Sequence, residues 1–157
     1  MKRVIIYIGI LAALIAAPVE QMEVGKLVPV QVVSVYKEGN AYVLETDTQN
    51  KGTGQTVEAA LQNLKDTASG TIYLDTAKYL LLTEDAQDAV EALRKNLKAS
   101  VEMSKMEKPV PVKEVAKFLD AHGKFPKLKH WQKGAELPIL SAIEKTYIFL
   151  KKVENNA

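Results

Sequence analysis

The sequence predicts an α+β fold: a mixed β-sheet with helices packed on it, in a single domain. Three observations carry that prediction. Runs rich in β-branched residues alternate between apolar and polar positions, as in "VPVQVVSVY" (28–36). Other runs repeat their apolar residues at helical spacing, as at Val57, Ala60, Leu61 and Leu64. Strands joined as a hairpin are followed by strands separated by helices, a pattern that yields a mixed sheet with helices against it.

The elements follow in order. Val28, Val30 and Val32 alternate with Pro29 and Gln31, which predicts a strand over 28–36 with proline near its start or at an edge. "KEGN" (37–40) reads as a turn and "AYVLETDT" (41–48) as the returning strand of a hairpin. Gly52 and Gly54 then let the chain swing from strand into helix. Thr56 is the expected N-cap of that helix, with Glu58 in the first turn where the helix dipole favours an acid. Gly70 ends the helix or begins the next turn, and "TIYL" (71–74) reads as a strand. After a break at Asp75-Thr76-Ala77, "KYLLLT" (78–83) is apolar enough for a central strand.

Thr83 is the expected cap of a second helix running to about Lys98, its buried stripe formed by Ala86, Ala89, Val90, Leu93 and Leu97. "ASVEMSKM" (99–106) alternates as a strand. Pro111 suits the first turn of a helix over "VKEVAKFLDAH" (112–122), with Val112, Val115, Ala116 and Leu119 on its apolar face. A short helix around Pro138–Glu144 and a last strand, "TYIFLKKV" (146–153), complete the order ββαββαβααβ within a domain spanning 28–154.

The beginning of the chain has another character. Met1-Lys2-Arg3 precedes "VIIYIGILAALIAAPV", sixteen uncharged residues from Val4 to Val19. A basic start before a short apolar run is the pattern of an export signal. The run falls just short of the ~17–25 residues of a comfortable membrane-spanning helix. Residues 1–19 are therefore expected to be a signal peptide, cut after Ala16 because a cut after Ala17 would place Pro18 on the leaving side, or an uncleaved N-terminal membrane anchor with Lys2 and Arg3 on the cytoplasmic side. Residues 20–27 read as a linker. The expected location is exported, at the cell membrane or in the extracytoplasmic space.

Composition narrows the function further. The chain has 157 residues, 47% apolar and 25% charged, in keeping with an ordinary globular domain. Twenty-one basic against 19 acidic side chains leave a formal charge of +2, too even for a nucleic-acid-binding surface. With no cysteine there is neither a disulfide nor thiolate chemistry, so an exported domain must rest on packing.

Candidate sites are few. A phosphate-binding loop needs four residues between its glycines and a following Gly-Lys-Ser/Thr; here the spacing is G-T-G and Gln55 follows. A dinucleotide fingerprint needs a third glycine where Val57 stands. The glycines are read as structural, and no cofactor is expected. His122 and His130 lack an acidic cluster between them, so no metal site is expected. None of the serines sits in a G-x-S-x-G elbow. Asp75 and Glu84 read as caps rather than an acid pair. No catalytic set emerges, and the pocket candidates are Asp75, His130 and Trp131, which would serve a small exported enzyme or ligand-binding protein.

One resemblance adds to this reading. The run "GTGQTVEAALQNL…GTIYLDTAKYLLLTED" carries a G-x-G-x-[ST] turn (Gly52, Gly54, Thr56), a helix with Ala60-Leu61 and Leu64, two apolar strands at Tyr73-Leu74 and Leu80–Leu82, and an acid at Glu84. It resembles the N-terminal domain of the Ger(x)C family, the C subunits of spore germinant receptors, over about residues 28–106. The chain departs from the family at Thr76, where members usually have histidine, and in lacking a lipid-anchoring cysteine. The resemblance implies a non-catalytic, extracytoplasmic domain with protein partners at a membrane, linked to sporulation or germination complexes.

Overall fold

The structure, a computed structural model, describes residues 26–122, 124–143 and 146–151. The expected signal or anchor (1–19), most of the linker (20–27) and residues 152–154 lie outside them. Among the described residues no helix is long and apolar enough to cross a membrane.

The fold is α+β, built on a seven-stranded mixed sheet with helices packed on it. Four strands form its parallel centre: β2 (Val32–Glu38), β6 (Tyr79–Leu82), β7 (Glu102–Met106) and β8 (Ile139–Ile143). Antiparallel β3 (Ala41–Thr46) and β4 (Lys51–Gly54) extend one side, and antiparallel β9 (Thr146–Lys151) closes the other. A separate two-stranded parallel sheet joins β1 (Leu27–Pro29) to β5 (Thr71–Tyr73). The helices are α1 (Val57–Thr67), α2 (Ala89–Leu93) and α3 (Val115–Ala121).

Successive residues of a strand point to opposite faces, and both faces of this sheet are covered. On one side Val33, Val35, Leu44, Leu80, Leu82 and Met103 pack with Ala60, Leu61 and Leu64 of α1 and Ala89, Val90 and Leu93 of α2. On the other, Val32, Val43, Tyr79, Leu81 and Leu140 pack with Val115, Ala116 and Leu119 of α3. Every residue of β6 is buried, which explains its uninterrupted apolar run in the centre of the sheet. Two buried serines are satisfied inside the sheet: Ser34 Oγ donates to Met106 Sδ at 3.6 Å and Ser104 Oγ to the Pro138 carbonyl at 2.7 Å.

The hairpin, the helix opened by Thr56 and all three apolar stripes stand where the sequence predicts them, whereas several boundaries differ. The expected strand 28–36 is two strands. The chain leaves the small sheet after Pro29, and Thr76 pins the crossing by accepting from Val30 N at 2.9 Å. "TIYL" pairs with β1 rather than with the main sheet. The expected helix 84–98 is a 3₁₀ turn (Glu84–Ala86) followed by the short α2, although Ala86, Ala89, Val90, Leu93 and Leu97 are all buried. Residues around Pro138–Glu144, expected as a helix, enter the sheet as β8, because Lys105 N donates to Pro138 O at 2.8 Å and Glu107 N to Leu140 O at 3.2 Å. Gly52 and Gly54, expected to turn the chain from strand into helix, lie within β4, so the order is ββββαββαβαββ.

Candidate functional site

Gly52 and Gly54 sit in β4 with Thr53 between them, so both face the same side of the strand, toward α1. Neither has positive φ; among the described glycines only Gly39 and Gly134 do. A Cβ on Gly52 would stand 2.6 Å from Leu64 Cα, and one on Gly54 would stand 2.7 Å from the Ala59 carbonyl carbon. The expected turn into the helix is therefore a place where helix and strand backbones meet with no side chain between them. Glycine's role here is close approach rather than an unusual backbone angle.

The same contact closes the edge of the sheet. Asn63 Oδ1 accepts from Thr53 N at 2.9 Å, while the Thr67 hydroxyl donates within α1 to the Asn63 carbonyl at 2.8 Å and lies 3.3 Å from Lys51 O. A side chain of α1 thus occupies a backbone donor of the outermost strand. Thr56 opens α1 by accepting from Ala59 N through its hydroxyl at 3.2 Å. Thr83 behaves differently: its hydroxyl donates to the Asp85 carboxylate and makes no bond to a backbone N–H.

Several ionisable side chains fasten elements together. Lys105 meets Glu84 at 2.7 Å, tying β7 to the turn after β6, and this bond holds the Glu84 carboxyl below the usual carboxylate range. Tyr42 Oη donates to Asp88, which Lys37 also meets at 3.2 Å, joining the hairpin to the start of α2. Burial pushes the Asp88 carboxyl up, but these two donors outweigh it and leave it lowered. Tyr79 Oη donates to Asp120 of α3 at 2.7 Å; burial first, and that carboxylate second, push the phenol up. Asp75 and Glu84 precede and follow β6, so they lie at opposite ends of that strand. Among the described residues no group of three or more histidine or acidic side chains is placed to hold a metal.

The three pocket candidates do not share a wall of any described cavity. Trp131 is 4% exposed, packed with Leu128 and Leu137, under the Arg94 guanidinium at 5.8 Å from its ring. Arg94 also donates to the Trp131 carbonyl at 2.8 Å, while the indole N–H has no partner among the described residues. His130 is exposed on a 3₁₀ turn. Asp75 lines a cavity of about 270 Å³ that includes Lys65, Tyr73 and Lys95, with neither His130 nor Trp131.

A cavity of about 500 Å³ has no sequence motif on its wall. It lies where α1 ends and the small parallel sheet begins. Helix α1 stops at Ala68, Ser69-Gly70 leads into β5, and β5 lies beside β1 in the register Leu27–Thr71 and Val28–Ile72. Gly70 permits that register, since a Cβ there would collide with the Lys26 carbonyl oxygen. Lys26 and Lys65 are thereby brought to one cavity, with no acidic side chain among the described residues of its wall. Lys65 also lines the neighbouring cavity of Asp75 and Lys95, so the two openings form one lysine-bearing surface. Tyr73, on that surface, is 40% exposed and is the exposed large hydrophobic side chain of the described residues. Ammonium groups around an open concavity attract anions; they do not make an acid–base pair. No protein-family model, curated protein or solved structure matches this chain.

Proposed function

We propose that the chain is a non-catalytic, extracytoplasmic interaction domain held at a membrane by its N-terminal segment. The observation that carries this reading is the basic start and sixteen-residue apolar run, Val4–Val19, ahead of a compact α+β domain. The use of acidic, phenolic and ammonium groups to fasten strands and helices supports the non-catalytic part, since Glu84, Asp88 and Asp120 are each committed to such a pair. The resemblance to the Ger(x)C N-terminal domain extends the reading to sporulation and germination complexes; it stands on the residues between Gly52 and Glu84, with no family-model match beside it.

Fractionation of the producing cell tests the location. The protein is expected in the membrane fraction and resistant to carbonate washing. Recovery solely from the soluble cytoplasm overturns the proposal. A melting-temperature screen with metals, nucleotides and sugars addresses the non-catalytic part: a tight small-molecule ligand would raise the midpoint by mass action, and a flat response is expected.

A further inference from the structure

We infer that the crevice at the carboxyl ends of β6 and β7 receives an arginine side chain of a protein partner. The inference rests on the proposal that the chain is an interaction domain and goes further by naming one contact that holds the partner. It does not depend on the N-terminal segment. After β6 the chain turns to one face of the sheet, where Ala86, Ala89 and Val90 are buried. After β7 it turns to the other, where Val110, Val112 and Val115 are buried. Neighbouring parallel strands whose continuations part in this way leave a crevice between them, and in open sheets such a switch point is where ligands bind. A cavity of about 270 Å³ lies there. Its wall is Glu84 from the turn after β6, Lys105 and Met106 at the end of β7, Glu107 just beyond it, and Ile139 of β8.

The wall selects the occupant. Its volume falls just below the ~300–1,000 Å³ of small-molecule sites, so it suits one side chain rather than a whole ligand. Lys105 is committed to Glu84 at 2.7 Å, whereas the exposed Glu107 carboxylate is met by the Ser141 hydroxyl at 3.3 Å. Two carboxylates to one ammonium among the described lining residues favour a cation. Lys108 follows Glu107 in the chain and Lys151 pairs with Ile139 in register, so the carboxylates must hold that cation against neighbouring lysines. Arginine suits the task better than lysine. Its planar fork takes a carboxylate with two parallel hydrogen bonds, its stem covers apolar surface, and it is a frequent anchor of interfaces. The apolar surface is present: Ile139, Ser141 and Ile148 share one face of the β8–β9 ribbon and are only half-buried.

The probes are two capped tripeptides, isoleucine-arginine-isoleucine and isoleucine-citrulline-isoleucine, alike in outline and different in charge. Each is titrated into the full-length, isotope-labelled protein in detergent micelles while its amide NMR signals are followed. The arginine peptide should give saturable shifts at Lys105, Glu107 and Ser141. The citrulline peptide should bind about tenfold more weakly, the change that a hydrogen bond to a charged group brings. Glu107→Gln should weaken the arginine peptide by a similar factor. Lys105→Met should tighten it, because Glu84 is then released from its partner; a variant that merely disturbed the fold could not do so. Glu114→Gln, at the start of α3 against the opposite face, should change nothing. Equal affinity for the two peptides, shifts centred elsewhere on the domain, no saturation at millimolar peptide, or weaker binding by Lys105→Met each overturns the site. Protein found in the membrane fraction that fails these tests leaves the membrane reading standing. Protein recovered from the cytoplasm that passes them overturns that reading and keeps the site.

Discussion

Gly52 and Leu64 are in direct backbone contact: a Cβ added at 52 would lie 2.6 Å from Leu64 Cα, closer than non-bonded heavy atoms approach. The neighbouring atoms belong to the backbone of α1 and cannot rotate aside. Gly52→Ala must therefore push the helix off β4, and the expected cost is at or above the top of the ~1–3 kcal/mol usual for overpacking. Gly39→Ala is the comparison, because Gly39 has φ of 62° and no atom within 4 Å of an added Cβ. Its cost should be about 1–2 kcal/mol, the penalty of a left-handed residue alone. Urea unfolding of both variants in detergent decides the matter; a larger loss at 39 than at 52 contradicts the close-approach account.

Asn63 protects the sheet edge. Replacing it with leucine keeps the volume and leaves Thr53 N without its acceptor. The expected stability loss is about 1 kcal/mol. The more telling readout is association, because an uncovered edge strand offers its backbone to another chain. Light scattering should show concentration-dependent growth for Asn63→Leu and none for Gln62→Leu, one residue away on the same helix, which leaves the Thr53 bond intact.

Glu84 supplies a pH prediction whose sign is set by its lowered carboxyl. A depressed carboxylate contributes stability above its unfolded value, ordinarily 4.5, and loses it as pH falls through the folded value. Lys105 is the main cause, so Lys105→Met should return the Glu84 titration toward 4.5, as followed by NMR of the side-chain carboxyl. The carboxylate is 77% exposed, so the accompanying stability change should be only a few tenths of a kcal/mol. An unchanged titration in the variant would remove Lys105 as the cause.

Trp131 separates packing from hydrogen bonding. Trp131→Ala should cost roughly 3–5 kcal/mol through the cavity it leaves. Trp131→Phe removes an indole N–H that has no partner among the described residues and keeps most of the ring, so its cost should be no more than about 1 kcal/mol. Thermal unfolding of the pair checks this, and equal losses would point to an indole bond. As the sole tryptophan, Trp131 should emit in the blue when folded and shift red on unfolding.

Much of this architecture is local in origin and legible in the sequence alone. The hairpin 32–46 follows from alternation around a Gly-Asn turn. Helix α1 follows from Thr56, Glu58 and a stripe of apolar residues, and β6 from four apolar residues in succession. Each depends on neighbours within one turn or one strand, where period and capping act directly. The apolar stripe from Ala86 to Leu97 was legible too, even though turns rather than one long helix carry it.

Tertiary structure decided the rest, because pairing is a choice among distant partners. Residues 138–143 have no strong local preference that separates strand from helix; the exposed backbone of β7 draws them into the sheet. β1 and β5 have strand character, but only packing shows that they pair with each other rather than with the main sheet. The G-T-G spacing is visible in the sequence, yet its meaning depends on α1 folding back on β4, where a period of two aims both glycines at the helix. Lys26, Lys65 and Lys95 lie 39 and 30 residues apart in the chain, and no motif joins them. Their common surface arises only when β1 pairs with β5 and α1 ends beside them, for charges spread along a chain become a site only through the contacts that fold it.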